Sequence, residues 1–167
     1  MEKVKSKEAF NKLKPEVCVF VISSDGNGSA NGMIAGWHMK CSSVPPLFAV
    51  ALSKKGNTQK LIKKSKEFVI AVPNKKMLDA VKLFGSTHGN VVDKFKETKL
   101  KTFRGMFVKA PLLKDATINL ECSLNNTVKS GDHIIFIGKI LASYVDKRKN
   151  ILCNMKKVDS DRIYDEF

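Results

Sequence analysis

Asn31-Gly32-Met33-Ile34-Ala35-Gly36-Trp37 is followed, three residues later, by Cys41-Ser42-Ser43-Val44-Pro45-Pro46-Leu47-Phe48-Ala49-Val50-Ala51-Leu52. The first segment is rich in small residues, so its backbone can approach a ligand closely. The Pro-Pro step stops one element and opens an apolar strand over 47–52. Backbone donors, hydroxyls and the chain's one Trp beside a rigid strand would cradle a flat, phosphorylated heterocycle. The same residues also read as a plain hairpin around a core tryptophan. Taken alone, they leave both readings open.

Upstream, Val17-Cys18-Val19-Phe20-Val21-Ile22 is a β-branched apolar run and predicts a buried strand. Ser23-Ser24-Asp25-Gly26-Asn27-Gly28 is turn chemistry that returns this strand as a hairpin into the Asn31 segment. Downstream, Asn57-Thr58 reads as a helix cap ahead of Leu61 and Ile62. Residues 68–72 read as a strand ended by Pro73. Residues 76–84 predict a second helix with Met77, Ala80, Val81 and Phe84 on one face, and 85–90 a loop. Ile118, Leu120, Cys122 and Leu124 alternate with Asn119, Glu121 and Ser123, the two-residue period of a half-buried strand. Residues 133–145 predict a long strand with a bulge at Gly138. Short, numerous strands with helices inserted irregularly predict a mainly β fold, a closed barrel with small helices, and not a doubly wound sheet. Neither a dinucleotide-binding G-x-G-x-x-G nor a P-loop is present.

The chain has 167 residues, 43% of them hydrophobic and 28% charged, which suits one domain over 1–167 with a real core and argues against disorder. A formal net charge of +14 attracts anions. The basic residues are mostly scattered Lys, with Arg only at 104, 148 and 162. That pattern is a solvated basic surface, poorly suited to reading nucleic acid, which leans on the bidentate fork of Arg. Cys18, Cys41, Cys122 and Cys153 form no C-x-x-C pair and stand at no metal-ligand spacing with His38, His88 or His133. The N-terminal residues lack the apolar core of a signal peptide, and no run reaches the ~18 apolar residues of a membrane helix. The expectation is a soluble, reduced, cytoplasmic protein with no metal, no nucleic acid and no membrane partner.

No nucleophile or paired-carboxylate motif stands out. Candidate residues therefore come from polar loops after strands. Ser42 and Ser43 precede the Pro-Pro step. Ser53-Lys54-Lys55-Gly56-Asn57-Thr58 joins a strand to a helix N-terminus, a geometry that binds phosphate through free N–H groups and the helix dipole, and that equally describes an ordinary capped helix. Asp93-Lys94-Phe95 sets a cation between an acid and an aromatic, as a ligand contact or as a surface salt bridge. Gly131-Asp132-His133 opens the long strand with a residue that titrates near neutrality, or with a packing histidine.

In this order and spacing, Asn31…Ala35-Gly36-Trp37, Ser42-Ser43-Val44-Pro45-Pro46, Asn57-Thr58…Leu61-Ile62, Asp93-Lys94-Phe95 and Gly131-Asp132-His133-Ile134-Ile135-Phe136-Ile137-Gly138 resemble the flavin reductase-like family over roughly residues 12 to 150. Within it, the chain is most similar to the branch of flavoredoxin and the archaeal ferric reductases. The resemblance implies an FMN-binding split β-barrel with Greek-key-like connections and a few short flanking helices. It also implies a homodimer holding FMN without a covalent bond, with NADH, NADPH or a protein as electron donor and a possible electron-transfer protein partner. The flavin contacts it implies are Asn31, Trp37, Cys41, Ser42, Ser53, Lys54, Thr58, Thr87, Lys94 and His133. Thr58 would serve the phosphate, and His133 would be the catalytic position where the nicotinamide stacks. Many relatives carry Ser-Gly before Asp-Lys-Phe, where this chain has Thr87-His88-Gly89.

Overall fold

The computed structural model describes residues 1–87, 91–158 and 161–167. Its elements are α1 (Ser6–Lys12), β1 (Glu16–Val17), β2 (Val19–Ser24), β3 (Ala30–Ala35), β4 (His38–Ser43), β5 (Pro46–Ser53), α2 (Asn57–Ser65) and β6 (Glu67–Val72). A 3₁₀ turn (Lys75–Met77), α3 (Leu78–Ser86), α4 (Lys94–Thr98), β7 (Thr102–Phe103) and β8 (Leu112–Leu113) follow. The chain ends with β9 (Ile118–Ser130), β10 (His133–Val145), β11 (Leu152–Val158) and β12 (Asp161–Glu166).

The unbroken apolar run of β2 has a direct cause. Val19 and Val21 face one core with Val50, Leu52, Ile62, Phe68, Ile70 and Phe136. Phe20 and Ile22 face a second core with Val81, Phe84, Leu112, Leu113 and Leu152. A strand buried on both faces has no reason to alternate. Seven antiparallel strands pair in the order β3-β2-β6-β9-β10-β5-β4, so the fold is mainly β. The chain crosses from β5 to β6 through α2 and leaves β10 beside β5, far from it in sequence. The Ala51 N–H donates to Trp37 O at 2.9 Å. This bond ties the chain leaving β3 to β5 and brings the two ends of the sheet together.

The expected β2–β3 hairpin forms, with Ser23 opposite Asn31 and Val19 opposite Ala35. The bulge at Gly138 is also present, between Ile137 and Gly138. A Cβ at Gly138 would stand 2.4 Å from Phe68 Cζ and 2.9 Å from Cys122 Cβ, so only glycine fits there. The helical face of Met77, Ala80, Val81 and Phe84 is buried as the period predicts.

Four expectations need correction. Ser42 and Ser43 belong to β4, because the Pro-Pro step is the turn of a β4–β5 hairpin and not a break after a loop. Gly56, and not Asn57 or Thr58, is the N-cap of α2. Gly85 and Ser86 close α3, and the rest of the 85–90 segment, His88 included, lies outside the described residues apart from Thr87. The polar side of β9 is not solvated: Asn119 and Glu121 are buried, the latter completely. Alternation located the strand but mistook a hydrogen-bonded interior for a wet face.

Candidate functional site

The hairpin end where β5 meets β10 is the first centre. Ser53 lies directly opposite His133, the Lys54 N–H donates to Asp132 O at 3.2 Å, and the Lys54 ammonium reaches Gly131 O. Trp37 stands over this corner with its ring 4.9 Å from the His133 ring and tilted by 36°. It is 50% exposed, which overturns the core-tryptophan reading. The two rings floor a cleft of about 390 Å³ that Met33, Ala51 and Ser53 also line. Phe10, from α1, meets the Trp37 ring edge-on at 6.2 Å.

His133 Nδ1 and Asp132 Oδ1 are 2.7 Å apart. That bond to His133 holds the Asp132 carboxyl below its usual range. An ionised Asp132 accepts a hydrogen bond from Nδ1–H and so holds the ring that lines the cleft, with Nε2 outside this bond.

The start of α2 is the second centre. Thr58 and Gln59 are both buried, and no side chain caps the first turn. The first amide N–H groups of any helix have no intrahelical acceptor. Gln59 Nε2 donates to Lys54 O at 3.1 Å, while its Oε1 is buried without a donor. Uncapped N–H groups and the Thr58 hydroxyl suit a phosphate. The orphaned amide oxygen suits a hydroxyl or N–H of the same ligand. The donor and acceptor chemistry of this corner therefore fits a phosphorylated heterocycle carrying a polyol chain.

A third group lies beyond β3. Asn31 and Lys94 line a cleft of about 780 Å³ with Arg104 and Lys109. Lys94 is buried and donates to Gly32 O and Phe84 O, both at 3.1 Å. Its ammonium lies 5.4 Å from the centroid of the Phe84 ring. Burial pulls its pKa below the usual lysine value. Asp93 does not pair with it: Asp93 caps α4 by accepting from the Lys96 N–H at 3.1 Å. Lys94 is thus a fixed internal cation and not half of a surface salt bridge.

The segment between Arg104 and Lys109, both of which line this cleft, is held by a buried acid that the sequence reading missed. Glu121 Oε1 accepts from the Met106 N–H at 3.0 Å and the Tyr144 hydroxyl at 2.7 Å. Oε2 accepts from the Phe107 and Val108 N–H groups at 2.7 and 2.9 Å. Burial by itself would raise the pKa, but these four donors outweigh it and the carboxyl titrates below its ordinary value.

The remaining candidates are peripheral. Cys41 is exposed, the extra residue of a bulge between Lys40 and Ser42, and Ser42 is half-buried on the edge strand β4. The Thr87 hydroxyl closes α3 by donating to Leu83 O at 2.7 Å. Gln59, Glu121, Phe10 and the basic pair Lys157 and Arg162 were not foreseen. Only Gln59, inside the Ser53–Thr58 neighbourhood, had a nearby signal. Among the described residues, no group of three His, Cys, Asp or Glu could hold a metal ion. No described helix is long and apolar enough to cross a membrane.

The profile of the flavin reductase like domain matches residues 16–159. An uncharacterized protein of Pyrococcus abyssi is 38% identical over 135 residues, 81% of this chain and 77% of that one. A ferric-chelate reductase (NAD(P)H) of Archaeoglobus fulgidus is 26% identical over 87% of this chain and 84% of its own length. The matched segments span 52% and 63% of two other archaeal relatives. Among solved structures, an FMN-binding protein from Thermus thermophilus with bound p-hydroxybenzaldehyde aligns with a TM-score of 0.86 at 25% identity, covering 99% of this chain and 95% of that one. The flavoredoxin of Desulfovibrio vulgaris (Miyazaki F) aligns with a TM-score of 0.81 at 25% identity, covering 92% and 87%.

Proposed function

Because the chain belongs to the flavin reductase-like domain family, we propose that it binds FMN non-covalently and works as an NAD(P)H-dependent flavin or ferric reductase. The observation that carries this reading is the corner where the Trp37–His133 floor meets the uncapped, buried start of α2. Bound FMN would supply hydride acceptance and single-electron delivery to free flavin, ferric iron, oxygen or a partner protein.

The chain's own residues do the binding and orienting. Thr58 and the first turn of α2 hold the phosphate. Ser53, Lys54 and the Gln59 amide oxygen meet the polyol chain. Trp37 and Asn31 border the ring, with Cys41 and Ser42 on the neighbouring edge strand and Thr87 at the end of α3. Lys94 contributes a fixed positive charge beside Asn31, which favours negative charge on a nearby ligand. His133, aligned by Asp132, offers Nε2 and a ring face to the electron donor. Trp37 is half exposed and the cleft is open on that side, so a second copy of the chain covers it in a homodimer. The compartment is the cytoplasm.

The test is the absorption spectrum of the untagged protein as isolated, then anaerobic titration with NADH and with NADPH. A yellow protein bleached by either nicotinamide supports the reading, and a protein that takes up no FMN refutes it. Likeness to a flavoredoxin favours a second reading, a non-enzymatic electron carrier. Bound FMN that neither nicotinamide reduces would select it. Light scattering that gives a monomer with FMN bound would refute the dimer.

A further inference from the structure

The cleft over Trp37 and His133 continues along the β11–β12 hairpin. Lys157, Arg162 and Tyr164 line it, and the same three line an adjoining cavity of about 600 Å³, closed by Lys82, Gly85 and Ser86 at the end of α3. Lys157 and Arg162 are direct cross-strand partners. Like charges directly opposite one another destabilise a sheet. Among the described residues, neither is in an ion pair, although Asp161 borders the adjoining cavity. The Arg162 guanidinium lies over Gly85, 3.8 Å from where a Cβ would stand. Its planar fork suits bidentate binding of a phosphate. Two facing cations, neither ion-paired among the described residues, share a cleft with the tilted Trp37 and His133 rings. The acid of that cleft, Glu16, is engaged by Lys14. The pair therefore matches a ligand that joins a flat ring to a phosphate.

We propose that Lys157 and Arg162 form a phosphate subsite for the nucleotide electron donor. The idea rests on the reading that the Trp37–His133 cleft receives that donor. The flavin phosphate is assigned to α2, so the two phosphates have separate sites.

The test uses FMN-loaded protein and the variant Lys157→Gln/Arg162→Gln. Calorimetry measures binding of adenosine 2′,5′-bisphosphate to each, and binding of FMN and riboflavin to the ligand-free forms. The variant is expected to bind the bisphosphate at least about tenfold more weakly, with its preference for FMN over riboflavin unchanged. Unchanged bisphosphate affinity overturns the proposal. Loss of the FMN preference also overturns it, because the pair would then serve the flavin phosphate.

Relief of the facing charges is expected to raise the melting temperature of the ligand-free variant, which also shows that it folds. A lowered melting temperature removes the strain argument and overturns the proposal. A charge-dependent bisphosphate site on a protein that neither NADH nor NADPH reduces would refute the donor role while leaving the phosphate contact in place. Reduction by both nicotinamides, with no such site, would refute the subsite alone.

Discussion

Glu121→Gln isolates the chemistry of the buried acid that holds residues 106–108. Each carboxylate oxygen accepts two donors: Met106 N–H and the Tyr144 hydroxyl on one, Phe107 and Val108 N–H on the other. An amide keeps one acceptor and turns the other into a donor. With the NH₂ group on the Oε2 side, the Phe107 and Val108 N–H groups both lose their acceptor. On the Oε1 side the Tyr144 hydroxyl turns to accept from the NH₂ group, and the Met106 N–H is the one donor stranded. The second arrangement is the cheaper, and stranding one donor costs about 1–3 kcal/mol, which is the expected loss of the variant. Urea unfolding at fixed FMN concentration reads this as a midpoint lowered by roughly 0.5–1.5 M with an unchanged slope. The sign with pH follows from the lowered pKa of Glu121, whose ordinary value is 4.5. A carboxyl depressed in the folded state contributes its full stability above the unfolded value and loses it as pH falls through the folded value. The deficit of the variant is therefore constant above about pH 5 and shrinks in more acidic solution. A deficit below about 0.5 kcal/mol, or one that grows as pH falls, would refute the assignment of an ionised, four-donor carboxylate.

Thr58→Ala is expected to weaken FMN binding about tenfold to a hundredfold while sparing riboflavin; equal losses in calorimetric titration would remove Thr58 from the phosphate. His133→Ala is expected to slow anaerobic reduction by the preferred nicotinamide about tenfold through the lost ring contact, and stopped-flow traces with unchanged rate and donor affinity would leave His133 as a packing residue. Gly138→Ala drives a Cβ into the Phe68 ring and Cys122 and is expected to cost about 1–3 kcal/mol. A thermal midpoint equal to or above that of the parent would show that the bulge can relax.

Hydrophobic pattern and turn chemistry made the strands of the main sheet legible: β2 and β6 bury contiguous apolar residues, β5 does so over Phe48, Ala49 and Val50, β10 alternates over its first half, and a Gly, Pro or Asn stands in a turn adjoining each. The bulge at Gly138 was legible for the same local reason. What stayed hidden is non-local. Glu121 looks like any polar residue of an alternating strand until residues 106–108 fold over it. The register that sets Lys157 against Arg162 depends on a hairpin with no apolar signature, and Phe10 finds Trp37 only in three dimensions. In the candidate site, the spacing around Ser53–Thr58 and Gly131–His133 placed the corner, whereas Lys94 was read as a surface or ligand cation and is instead bonded to two backbone carbonyls.

Trp37 is the chain's one tryptophan, and it sits half exposed between the His133 ring and the edge of Phe10. Its emission therefore comes from one place only, the mouth of the candidate site. Excitation at the red edge of the indole band gives a background-free optical readout: a ring arriving over His133, or α1 lifting Phe10 away, changes the intensity or colour of that single fluorophore without any added label.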